Sequence, residues 1–86
     1  MYCIELAIKL SPFPLVVQRK NHEDATILYD EIIQIIQASN ERFLEITCEK
    51  VENKKVTVLV SEITAVQIYE KTSSSTSKRP GFSLDN

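Results

Sequence analysis

The chain has little of what loops and chemical sites are usually made from. Of its 86 residues one is glycine (Gly81), one is histidine (His22), and none is tryptophan. With no glycine before position 81, a glycine-rich loop that brings backbone close to a phosphate is excluded. Turns in the body must be made by Asn, Pro and Ser instead. One histidine cannot complete a tetrahedral metal site at these spacings, and as a catalytic base it has no second positioned group. It reads as a solvent-exposed residue of a first helical turn. The two cysteines, Cys3 and Cys48, lie far apart in strand-like runs and read as reduced structural thiols. No apolar run approaches the roughly 20 residues that span a bilayer. Glu5 and Lys9 interrupt the N-terminus where a signal peptide needs a basic then apolar stretch. The expectation is a soluble cytoplasmic protein. Neither sign of charge dominates: 12 acidic residues stand against 10 basic ones, a net charge of -2. The basic footprint that accompanies duplex nucleic acid is therefore missing.

What is present is one well-marked helix. Over residues 22–38, Ala25, Leu28, Ile32, Ile35 and Ile36 recur at spacings of three and four, and Tyr29 and Ile33 widen the same arc. Glu23, Asp30, Glu31, Gln34 and Gln37 fill the opposite arc, with Ile27 among them. Asn21 is the expected N-cap, Asp24 completes a capping-box variant, and Glu23 and Asp24 favour the first turn electrostatically. After Ala38, Ser39-Asn40 takes the left-handed position that glycine usually fills.

The other apolar residues alternate. Tyr2, Ile4, Leu6, Ile8 and Leu10 share one face of a strand over 2–10, with Cys3, Glu5, Ala7 and Lys9 on the other. Ser11-Pro-Phe-Pro14 stops it, and a second strand, 15–19, is expected at a sheet edge because prolines mark its entrance. Residues 43–49 place Leu44, Ile46 and Cys48 inward, a polar hairpin follows at 51–54, and 55–60 place Val56, Val58 and Val60 inward. The parity break between Ile63 and Val66 predicts a tight turn or bulge before a fifth strand ends near Lys71. This order, β-β-α-β-β-β, predicts an α+β two-layer sandwich with one helix on a mainly antiparallel five-stranded sheet. The domain spans 1–71, and the Ser/Thr-rich segment 72–86 is expected to be a disordered tail.

Three segments, Leu10–Lys20, Leu44–Lys50 and Lys54–Tyr69, together resemble a family of small soluble proteins from cyanobacteria and plastids to which no activity is assigned. The resemblance covers residues 1–71. It implies a photosynthetic cell as the setting and carries over no functional residue.

No catalytic, cofactor or metal residue is assigned, and no small-molecule substrate is evident. Glu5, Glu45 and Glu49 read as carboxylates of a solvated strand face. By alternation Cys3, Ala7, Phe43, Leu59 and Tyr69 fall on the sheet face that the helix leaves uncovered. Phe43, Leu59, Tyr69 and Ala7 are therefore the candidate partner surface. Arg19, Lys20, Lys54 and Lys55 stand at strand ends and form a candidate basic patch. The expected function is a non-enzymatic protein-interaction module, a homodimer or a small accessory subunit. Weak single-stranded RNA binding through the basic patch is the alternative, although nucleic acid is not the expected partner.

Overall fold

Alternation and capping translate directly into the elements of the computed structural model, which describes residues 1–72. The elements are β1 (Tyr2–Ile8), β2 (Leu15–Arg19), α1 (His22–Ala38), β3 (Phe43–Thr47), β4 (Lys55–Leu59), a 3-10 turn (Val60–Glu62) and β5 (Ile63–Glu70). The expected disorder of the tail falls, apart from Thr72, outside the described residues.

Helix α1 begins and ends as its sequence requires. The Asn21 side chain accepts a hydrogen bond from the Asp24 amide at 3.1 Å, satisfying one N–H that the first turn leaves free. At the other end Ser39 adopts φ 60° and returns its amide to the Ile35 carbonyl. Left-handed backbone recurs at Leu10 (φ 64°) and Asn53 (φ 65°), so these three corners are turned without glycine. Ala25, Leu28 and Ile32 are buried, with Ile35 and Ile36 packed at the margin of the core. The helix rests chiefly on β1, β2 and β5.

The strands form two antiparallel sheets, β2-β1-β5 and β3-β4, rather than one five-stranded sheet. The break lies between β2 and β3, where one ladder-type bond survives: the Glu49 amide donates to the Gln18 carbonyl at 2.9 Å. The inward faces of both sheets still share one core, in which Ile4, Leu6 and Val17 meet Leu44, Ile46, Val58 and Val60. The expected irregularity before the fifth strand is a bulge. Ala7 pairs with Ala65 and Ile8 with Ile63, which skips Thr64 and reconciles the parity of Ile63 with that of Val66.

Two assignments made from alternation are corrected. Leu10 is not inward; β1 stops at Ile8 and Leu10 is 97% exposed, because the left-handed turn carries it out of the strand. Cys3 and Glu5 are not on a solvated face; they are 2% and 4% exposed. Both lie on the central strand, flanked on either side by Gln18 and Tyr69 at Cys3 and by Val16 and Gln67 at Glu5.

Candidate functional site

The two strands that flank β1 have very different outer sides. Along β2, Lys54 donates its Nζ to the Val16 carbonyl at 2.8 Å, and Arg19 donates Nη1 to the Thr47 carbonyl at 2.6 Å. The Lys20 amide donates to Glu49 Oε1 at 2.7 Å. With the Glu49–Gln18 bond these contacts sew the β3–β4 hairpin onto the outer side of β2. Strand β2 stands at the edge of its sheet, as expected, and the hairpin covers the outer side of that edge. The seam also bears on Cys48. Burial pushes its thiol up, but backbone hydrogen bonds at Val51, Gln18 and Lys50 and the Lys54 ammonium outweigh this and hold it below its ordinary value.

Strand β5 ends the other side of the same sheet. Among the described residues no strand pairs with its outer side. Its eight residues, Ile63-Thr-Ala-Val-Gln-Ile-Tyr-Glu70, include neither proline nor lysine. Those are the residues by which exposed edges are usually kept from pairing with another chain.

The candidate partner residues separate into two groups. Phe43 and Leu59 are directly opposed on β3 and β4, 55% and 37% exposed, and the Arg42 guanidinium lies 5.7 Å from the Phe43 ring centroid. Ala7 and Tyr69 are half-buried on the other sheet, on the face turned away from α1. There the Tyr69 hydroxyl donates to Glu5 Oε2 at 3.3 Å. Burial raises the Glu5 carboxyl above its usual range, and the Tyr69 bond offsets this in part. Burial, with Cys3 and Glu5 alongside, also raises the Tyr69 phenol. Glu5 Oε1, Gln18 Oε1 and Gln67 Oε1 are buried with no hydrogen-bond partner among the described residues. This polar layer escaped the sequence reading. Its only signal was a glutamate at the centre of an alternating strand, between small Cys3 and Ala7.

The candidate basic patch is partly assembled. Arg19, Lys20 and Lys54 gather at the β2 seam, where Arg19 and Lys54 are committed to backbone carbonyls. Lys55 pairs with Glu45 across the hairpin at 3.5 Å, an exposed contact worth about 0–1 kcal/mol. Glu45 and Glu49 therefore lie at the hairpin and its seam, apart from Glu5. His22 is exposed in the first turn of α1, as expected, with its ring edge-to-face on Tyr2. Among the described residues no three His, Cys, Asp or Glu side chains form a group that could hold a metal ion. No described helix is long and apolar enough to cross a membrane.

These features define a small α+β domain that presents sheet faces and the outer edge of β5 to its surroundings. Comparison with known proteins places it further: residues 3–71 match the UPF0367 protein family, and the chain belongs to it. A UPF0367 protein of Prochlorococcus marinus (strain NATL1A) is 73% identical over 86 residues, covering all of both chains. One from Synechococcus sp. (strain CC9605) is 56% identical over 87 residues, covering all of this chain and 79% of its own. No solved structure matches.

Proposed function

We infer that the domain is a non-enzymatic protein-interaction module of the cytoplasm, a homodimer or a small accessory subunit, that engages its partner along the outer side of β5. The carrying observation is the contrast within one sheet: the outer side of β2 is sewn shut, while among the described residues no strand pairs with the outer side of β5, which carries neither proline nor lysine. An extended strand added there would gain a ladder of main-chain hydrogen bonds, and alternate side chains would supply specificity. Phe43 and Leu59 offer a second, smaller contact of apolar character. The RNA reading has less to draw on, because Arg19 and Lys54 already donate within the fold.

The test compares the whole chain with Ala65→Lys and with Leu59→Lys. Sedimentation equilibrium and capture from a cyanobacterial extract are the readouts. Edge binding predicts that Ala65→Lys stays folded and loses self-association or capture, while Leu59→Lys keeps it. Loss in Leu59→Lys alone moves the interface to the hairpin face. Wild-type behaviour in both variants, with RNA retention abolished by neutralising Lys20 and Lys55, gives the function to RNA.

A further inference from the structure

Between α1 and the end of the three-stranded sheet lies a cavity of about 500 Å³. It is bordered by all three tyrosines of the chain, its single histidine and two carboxylates: Tyr2, His22, Tyr29, Asp30, Tyr69 and Glu70. The helix contributes His22, Tyr29 and Asp30, which spacings of seven and eight place along one side. The sheet contributes Tyr2 and Glu70, partners in the last pair of the β1–β5 ladder. The Tyr2 and His22 rings meet at 5.3 Å between centroids and 66° between planes, so this corner of the wall is set before any ligand arrives. The Tyr69 hydroxyl points to Glu5 on the opposite face. Its phenol is therefore left out of the ligand assignment.

The charge of the wall is one-sided. Asp30 and Glu70 are exposed, neither is in an ion pair with a described residue, and among the described residues no lysine or arginine borders the cavity. Two carboxylates disfavour an anion. A divalent ion would need more oxygen ligands in fixed geometry than two carboxylates supply. A purely apolar ligand would leave both carboxylates unused. Tyrosine faces attract cations through the negative face of the ring, and a carboxylate beside them supplies the counter-charge. The volume lies within the roughly 300–1,000 Å³ typical of small-ligand sites.

We propose that this cavity binds an organic cation, an alkylammonium or guanidinium group, between Tyr2 and Tyr29 with Asp30 and Glu70 as its counter-charges. Such a group comes either as a free polyamine or as a lysine or arginine side chain of another protein. The two sources share one chemistry and differ in what surrounds the charge. The site is separate from the mid-strand position of β5 that tests the interaction reading, so either conclusion can fail alone.

The experiment titrates the full-length protein with spermidine and, separately, with the Nα-acetyl amides of lysine and arginine. Amide chemical shifts and calorimetry are the readouts, with magnesium chloride at matched ionic strength as the control. Saturable shifts confined to residues 2, 22–30 and 68–70 are expected. Asp30→Asn/Glu70→Gln should weaken binding at least tenfold. Tyr29→Leu should weaken it severalfold while Tyr29→Phe retains it, since the ring face rather than the hydroxyl makes the contact. Saturation by spermidine alone assigns a free polyamine; saturation by an acetyl amide assigns a partner's side chain. The proposal is overturned if no probe saturates, if magnesium reproduces the shifts, or if the double variant binds as tightly as wild type.

Discussion

Strands β2 and β5 flank the same central strand, yet their outer sides have opposite fates. Strand β2, five residues long, is held by the Lys54 ammonium and Glu49 amide of the hairpin, and its own Arg19 donates to the Thr47 carbonyl in return. Strand β5 is three residues longer and has no strand on its outer side among the described residues. Long side chains thus do for β2 what a further strand would do. Arg19 and Lys54 reach carbonyls that the break between the sheets leaves without a ladder partner. A sheet can be closed by side chains on one side and kept available on the other, with the core beneath both unchanged.

The largest effect should come from removing what both sides stand on. Ile32 is fully buried under the sheet, so Ile32→Ala should cost about 2–5 kcal/mol, and Gln34→Ala on the solvent face almost nothing. Urea melts read this difference; equal effects would reverse the assignment of the helix face. Breaking only the closed side is the next step down. Lys54→Met removes the donor to Val16 and leaves a part-buried carbonyl, which should cost about 1–3 kcal/mol. Amide exchange should then rise at Lys20 and Glu49 while β5 keeps its protection. Uniform loss across all five strands would show that the seam is not a local structure. Charging the open side should be mildest: Ala65→Lys should shift stability by about 1 kcal/mol or less while removing association.

Smaller still is a pH effect beneath β1. Folding raises the Glu5 pKa above its ordinary value, so the folded protein holds that proton more tightly than the unfolded chain. Stability from this group is therefore greatest below the ordinary glutamate range and declines as pH rises toward the raised value. Glu5→Gln should flatten that decline. Melts recorded from pH 4 to pH 8 measure it, and an unchanged slope in the variant would assign the pH dependence to other groups.

The contrast between the two sides also explains how much could be read in advance. The helix was legible because its cap, its arc and its terminating Ser39 are local, and the bulge because parity breaks within four residues. Alternation correctly divided each strand into two faces. It carried no information on what stands over a face, which is why Cys3 and Glu5 were placed in solvent. It also ran one step too far at Leu10, where a backbone corner rather than a strand follows Ile8. The seam left no pattern at all. Its side chain-to-carbonyl bonds join positions 28 and 38 residues apart, and a carbonyl looks the same under every side chain. The cation cavity was hidden for a related reason, since each of its three short segments is unremarkable by itself.

The three left-handed corners at Leu10, Ser39 and Asn53 have a consequence for how this sequence can change. In most domains such corners already carry glycine, and substitution there is a one-way loss. Here the residue in place bears the steric conflict of a β-carbon, roughly 1–2 kcal/mol for a side chain such as that of Leu10. Leu10 is also almost wholly in solvent, so its side chain returns little through packing. The corners are thus directions in which mutation can improve the fold, a reserve available to offset destabilising changes elsewhere.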